Sequence, residues 1–413
     1  MPVTLITHIK QLVNTRKEQS LLRGSSLSEL PIIEDAYLLV EDGIIAAMGE
    51  MKTIPEELEW IEETIDASGQ LVLPCWCDSH THLVFAASRE EEFVDKIRGM
   101  SYADIAARGG GILNSARKLN EASESELLRM AMQRLQEIIR QGTGAVEIKS
   151  GYGLTTAGEI KMLRVIKKLK EISPIPVKAT FLGAHSYPPA YRDHHRGYID
   201  LIKNEMLPVI AEEGLADYID VFCEEGFFSP EETKEICLAG MAYGLIPKIH
   251  ANQLHLSGGV QAAVELGALS ADHLETMDEA AIRVLADSDT IGTLLPTAAY
   301  FLRMPYQPAR QLIEAGCAIA LASDFNPGSS PSGNMNIVVS MACIQMKMLP
   351  EEAINAATTN GAWAMGLQAE LGTIAVGKKA SLILTKPVPS LAYLPYAFGT
   401  DHIDRVMISG EWV

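Results

Sequence analysis

Positive charge is scarce in this chain: 34 lysines and arginines stand against 53 aspartates and glutamates, a net −19 at pH 7. That balance disfavours a nucleic-acid groove or an anionic membrane surface as partner, since both are themselves negative. A small anionic ligand stays open, provided a local cation receives it. Cysteine is scarce too. Cys75, Cys77, Cys223, Cys237, Cys317 and Cys343 are the six in 413 residues, mostly inside apolar runs, which suits reduced thiols in a cytoplasmic protein rather than a disulfide framework. No apolar stretch approaches the ~20 residues of a membrane span. The opening MPVTLITHIKQLVNTRKE lacks the basic-then-apolar build of a secretory signal. Low-complexity tracts are missing, and so is a phosphate-cradling loop. Gly109-Gly110-Gly111 is not followed by Lys-Ser/Thr, and Lys149-Ser150 is not preceded by glycine. The triplet reads as a mobile loop over a barrel mouth.

What is present is ordinary globular composition, 47% hydrophobic and 21% charged, with one distinctive run. Residues 71–82 read LVLPCWCDSHTH. Side chains two apart on a strand share a face, so His80 and His82 aim two imidazoles at one point. Imidazole is the commonest protein ligand for transition metals, but two ligands do not make a site. Cys75 and Cys77 beside them fit packed strand residues better than soft ligands, because no second cysteine pair follows at zinc-binding spacing.

The texture of the chain divides it. Residues 1–70 carry short alternating segments with Asp-Gly turns, such as AYLLVEDGIIAAMG (36–49), and residues 373–413 look alike. Together they predict hairpins in one β-sandwich module built from both termini. Across 71–372, apolar runs alternate with amphipathic helical stretches such as 124–142 and 155–172. There are eight such runs: 71–82, 144–153, 177–186, 218–225, 245–253, 268–275, 290–297 and 318–328. Eight β/α units predict a (β/α)8 TIM-like barrel, whose functional groups gather at the C-terminal strand ends.

Those ends carry His80 and His82 on the first run, His185 on the third, His250 on the fifth, His273 on the sixth and Asp324 on the eighth. The other histidines, His8, His194, His195, His255 and His402, fall elsewhere and read as loop or surface residues. Three imidazoles and a carboxylate suit zinc or iron without distinguishing them.

In order and spacing this set resembles the amidohydrolase superfamily. HTHLVFAASRE, EIKSGYGL, FLGAH, KIHA, SADHL and ASDFNPGSSP are similar, within it, to the imidazolonepropionases. The resemblance implies that His80, His82, His250 and Asp324 bind one metal ion per subunit, Zn2+ or Fe3+. It implies hydrolysis of the lactam C–N bond of 4-imidazolone-5-propanoate to N-formimidoyl-L-glutamate, the third step of histidine degradation, by a cytoplasmic homodimer. His273 and Asp324 would then be the catalytic pair. Many relatives bridge a second metal with a lysine on the fourth strand; here that strand ends VFCEEG, which implies a single ion. Glu224 and Glu225 fit a supporting or loop role better than ligation.

Substrate binding is implied for Arg89, Tyr152, His185, Gln253, Asn326, Gly328 and Ser329. On spacing alone Arg89 equally fits a surface arginine balanced by Glu90, Glu91 and Glu92; the resemblance makes it the anchor for the propionate. Tyr152, in a flexible SGYG turn, has a packed aromatic as its plain alternative, and Asn326–Ser329 a ligand-free turn. One position departs from related mononuclear deaminases, which carry glutamate three residues after the fifth-strand histidine. Gln253 stands there, and an amide cannot act as a general base. This weakens the runner-up, a cytosine- or guanine-type deaminase. A non-catalytic scaffold is a further alternative, disfavoured because no ligand position is lost.

Overall fold

The structure is a computed structural model that describes residues 3–17, 20–55, 61–100 and 110–413. At the N-terminus β1 (Thr4–Val13) pairs antiparallel with β2 (Ile32–Glu41), and β2 with β3 (Ile44–Glu50). Asp42 and Gly43 join the last two with φ of 49° and 78°, the left-handed pair that a tight hairpin needs. The other edge of β1 is shared: β4 (Glu63–Asp66) lies parallel to its first half and β5 (Leu71–Pro74) to its second.

Eight parallel strands follow among the described residues. They are β6 (Trp76–Thr81), β7 (Thr143–Lys149), β8 (Val177–Ala184), β9 (Tyr218–Cys223), β10 (Ile246–Ala251), β11 (Ser270–His273), β12 (Ile291–Leu294) and β13 (Ile319–Leu321). Each pairs with the next in chain order. The barrel closes where β13 meets β6, through a parallel bridge of Thr81 with Phe325. Closure rests on the segment that carries the candidate ligands: Asp324 N–H donates to His80 O (3.0 Å), and His82 N–H to Phe325 O (2.8 Å). Finally β14 (Leu382–Thr385), β15 (Ile403–Ile408) and β16 (Glu411–Trp412) extend the first sheet from β5. That sheet wraps a core of its own, including Ile6, Leu12, Leu38, Val72, Leu382 and Met407. The barrel and the two-ended β module agree with expectation.

One expectation needs correction. The run 71–82 is two strands, not one, and Leu71–Pro74 belongs to the terminal sheet. The chain changes sheets at Cys75. Pro74 has no N–H to donate, and the next two amides turn apart: Cys75 N–H bonds to Ser381 O (3.0 Å) and Trp76 N–H to Gly142 O (2.9 Å). The junction expected between residues 70 and 71 therefore lies four residues later.

The helices outside the barrel form for local reasons. Glu124–Arg140 starts at Ser123, whose hydroxyl accepts from Glu126 N–H while its own N–H donates to the Glu126 carboxylate (2.9 Å), a reciprocal cap. Its buried positions Leu127, Ala131, Leu135 and Ile138 repeat every three to four residues and lay one stripe on the core. Cys75 and Cys77 are buried free thiols. Of the glycine triplet, Gly109 lies outside the described residues; Gly111 (φ 77°) precedes the helix Ile112–Glu121 and donates its N–H to Glu92 (2.9 Å).

Candidate metal centre

All five candidate metal-facing side chains meet at the C-terminal mouth. His80 and His82 project from β6 and just past it, His250 from β10, His273 from the end of β11, and Asp324 from the turn after β13. Each is buried. Nε2 of His80 and of His82 lie 3.5 and 3.6 Å from Asp324 Oδ1, and the His80 and His250 rings are 4.5 Å apart. One ligand atom from each of His80, His82 and His250 falls within 4.8 Å of the others; the same is true of His80, His273 and Asp324. Four backbone positions here are left-handed without being glycine: Asn252 (φ 53°), His273 (89°), Leu274 (65°) and Asp324 (51°). Such strain concentrates where the surrounding fold over-determines a geometry, commonly at working sites.

Protonation favours ligation. Burial, reinforced by neighbouring positive groups, holds the His80, His82 and His250 imidazoles well below their usual pKa, so they are neutral at pH 7. Burial pushes the Asp324 carboxyl up to about 6, against the attraction of His273. His273, unlike the other three imidazoles, is raised. Burial would lower it, but Glu275, Asp324 and Asp272 together raise it.

The structure adds groups that the sequence reading missed. His80 Nδ1 donates to Asp272 Oδ2 (2.7 Å), and His250 Nδ1 to Asp220 Oδ2 (2.8 Å). These bonds leave each ring's Nε2 lone pair facing inward, the usual way a protein orients a metal-ligating imidazole. His80 Nε2 is buried with no hydrogen-bond partner. That orphaned acceptor, among three neutral imidazoles and a carboxylate, fits a zinc or iron ion. Below lies a buried charged layer. Lys149 Nζ donates to Glu147 (2.7 Å) and Asp220 (2.8 Å), and Lys248 Nζ to Glu147. Three carboxylates hold the Lys149 ammonium above the ordinary lysine range despite its burial. Asp78 takes both Ser323 N–H (3.0 Å) and Ser323 Oγ–H (2.6 Å), binding β6 to the segment before Asp324. Charged residues two apart inside apolar runs (Glu147 and Lys149, Lys248 and His250) were the available signal.

The predicted substrate residues divide. His82, Tyr152, His185, Phe222, His250, Gln253, His273, Asp324, Asn326 and Ser329 line one cavity. His185 bonds to Gly151 O through Nδ1 (2.9 Å), stacks on His82, and is lowered by burial to about 4. Tyr152 is buried, with its hydroxyl 3.5 Å from Asn326 Oδ1. Its turn is not free, contrary to expectation: the buried Glu159 carboxylate accepts N–H bonds from Gly151 (2.9 Å), Gly153 (2.7 Å) and Leu154 (3.0 Å). The amides of Gly328 and Ser329, expected to face a ligand, both donate to Asn326 Oδ1 (2.7 and 2.8 Å). The turn satisfies itself. Ser329 Oγ–H points to Asp324 Oδ2 (3.2 Å). Arg89 is half-buried, its Nε donating to Ser115 Oγ (2.8 Å) and its guanidinium 5.9 Å from the Tyr152 ring centre. Glu224 lies outside the cluster and holds the chain after Gln253, accepting Leu254 N–H (2.8 Å).

Comparison with known proteins extends this geometry. The sequence profile of the Amidohydrolase family matches residues 71–413. Among curated proteins, Imidazolonepropionase of Flavobacterium johnsoniae is 56% identical over 99% of both chains, and that of Christiangramia forsetii 54% over 99% of both. Solved structures share the fold at low identity. A 5-methylcytosine deaminase from Klebsiella pneumoniae superposes at TM-score 0.74 and 16% identity, covering 99% of this chain and 97% of that one. An adenosine deaminase from Xanthomonas campestris with bound zinc gives 0.70 and 17%, covering 100% and 92%. The chain belongs to the amidohydrolase family and, within it, to the imidazolonepropionases, hydrolases of a cyclic amide.

Proposed function

We propose that this barrel hydrolyses the lactam C–N bond of 4-imidazolone-5-propanoate, with His80, His82, His250 and Asp324 holding one Zn2+ or Fe3+ ion per subunit. The observation that supports it most is the orphaned, buried His80 Nε2 facing Asp324 from a ring whose other nitrogen is already committed to Asp272. When bound, such an ion acidifies a water toward neutral pKa and polarises a carbonyl.

The chain's own groups supply the rest. Asp324 Oδ2, held by Ser329, accepts the proton of the attacking water. Water's oxygen bonds to the ring carbonyl carbon, the C–N bond breaks, and a proton passes to the departing nitrogen. His273, whose Nδ1 is held by Glu275 (3.3 Å), polarises the carbonyl and delivers that proton. General acid–base help of this kind contributes ~10²–10⁴-fold. Gln253 binds a polar edge of the ring and carries no proton. His185 and Tyr152 flank the ring, and Arg89 grips the propionate bidentately. The Asn326–Ser329 turn shapes the floor between Arg89 and Asp324.

Supporting expectations complete the reading. The strands from both chain ends, with Leu71–Pro74 among them, act as one β module beside the barrel that begins after Cys75, and the enzyme works as a cytoplasmic homodimer. The six thiols are all free, and among the described residues no helix is long and apolar enough to cross a membrane. The test is an assay on synthetic imidazolone propionate. Loss of its ultraviolet absorbance with release of formiminoglutamate is expected; deamination of cytosine or guanine instead would assign the site to the runner-up class.

A further inference from the structure

Resting on the metal-site reading above, we propose that Lys149 is a positioning residue that sets the tautomer of two metal-facing histidines at once. Its Nζ lies 2.8 Å from Asp220 Oδ2 and 3.4 Å from Asp272 Oδ2. Those two oxygens are the ones that meet the rings: Asp220 Oδ2 is 2.8 Å from His250 Nδ1, and Asp272 Oδ2 is 2.7 Å from His80 Nδ1. One ammonium thus stands behind two imidazoles on strands from opposite parts of the barrel, through one carboxylate oxygen each.

Hydrogen-bond polarity fixes both tautomers. An ammonium has three donors and no acceptor, so every oxygen it touches must accept. Hydrogen-bonded to Asp220 Oδ2 and in an ion pair with Asp272 Oδ2, the ammonium keeps both carboxyls deprotonated; a carboxylate oxygen can only accept, which forces the proton onto Nδ1 and leaves Nε2 as a lone pair. Glu147 Oε1 takes a further donor of Lys149 (2.7 Å) and itself receives Thr180 Oγ–H (2.6 Å), so the lysine is pinned. Ser270 Oγ–H occupies Asp272 Oδ1 (2.5 Å), and His250 N–H occupies Asp220 Oδ1 (3.0 Å). Neither aspartate can rotate to offer its other oxygen. Lys149 and these partners are fully buried, so no solvent competes for the donors.

Lys248 is the comparison: it is as buried and bonds to Glu147, Ser79 O (3.1 Å) and Ala364 O (3.2 Å), and its charge is felt by Asp272, but it hydrogen-bonds to no aspartate that holds a histidine. The experiment compares full-length wild type, Lys149→Met and Lys248→Met. It measures Zn2+ affinity by chelator competition, and the His80 and His250 tautomers by 15N NMR of metal-free protein. Lys149→Met is expected to bind Zn2+ about 10–100-fold more weakly, in line with other losses behind a ligating histidine, and to show Nε2–H on one or both rings. Lys248→Met should keep the wild-type His250 tautomer and lose less affinity than Lys149→Met, because only Lys149 hydrogen-bonds to Asp220. Affinity and tautomers unchanged in Lys149→Met, or equal losses in both variants, would overturn the proposal. Should Lys149→Met not fold, metal-free wild type still decides: Nδ1–H on both rings is expected, and Nε2–H on either overturns it. Wild type that binds no Zn2+ would instead refute the metal site itself.

Discussion

Gly328 stands directly against Arg89: a Cβ on this glycine would lie 2.7 Å from the guanidinium Nη1 and 3.2 Å from Cζ. The turn after β13 and the loop after β6 therefore meet at the one arginine proposed to receive the substrate's carboxylate. A methyl group there has to move the guanidinium, because the surrounding turn is tied down by Asn326.

Arg89→Ala should raise KM about 30-fold or more with a smaller change in kcat, since truncating a hydrogen-bonded charge pair costs about 2–5 kcal/mol. Steady-state kinetics on imidazolone propionate checks this, and an unchanged KM removes Arg89 from the site. Gly328→Ala should shift KM in the same direction by less, with thermal stability near wild type.

His273→Ala should keep its metal and lose about 10²–10⁴-fold in kcat, the scale of general acid–base catalysis. Metal content by elemental analysis, measured beside turnover, separates this from ligand loss. A metal-free but folded variant would make His273 a ligand instead.

Metal affinity should fall in acid through Asp324 alone among the proposed ligands. Burial holds its carboxyl at about 6, above the ordinary 3.8, in the metal-free protein. Its bound proton therefore stabilises the metal-free fold fully below pH 3.8, and that contribution is lost as pH rises through about 6. Metal binding expels the proton, so affinity should be about tenfold weaker at pH 5 than at neutral pH. The three histidines, held well below their usual range, add nothing in that window. Chelator competition at both pH values tests it; a slope of two or more protons would mean that an imidazole also titrates.

Glu159→Ala should destabilise the protein by about 3 kcal/mol or more, because it strands three buried N–H groups, at about 1–3 kcal/mol for each unsatisfied donor. Denaturant unfolding measures the loss. Tyr152 sits inside that turn, so KM should rise as well, and unaltered kinetics would detach Tyr152 from the substrate.

Much of this site is legible in the sequence. The candidate ligand positions could be read because a barrel strand leaves a periodic trace: an apolar run ending in a polar residue, repeated eight times, with His80 and His82 sharing a face by alternation alone. The residues behind them were not, because their partners are remote in sequence. Asp272 supports His80 across 192 positions, and Lys149 reaches Asp220 across 71. A glutamate inside an apolar run shows only that something unusual is buried there.

The sequence by itself determined the β/α alternation and, through motifs that resemble a known family, the candidate ligand positions, since each rests on residue type and local spacing. Tertiary structure decided three other matters. Pro74, unable to donate an N–H, marks the place where the first run passes from one sheet to the other at Cys75. The Gly328 and Ser329 amides are spent on Asn326. And His80 presents Nε2 because Asp272 holds its Nδ1, a choice of tautomer that no local pattern can make, since it depends on which acceptor the closed barrel brings within 2.7 Å.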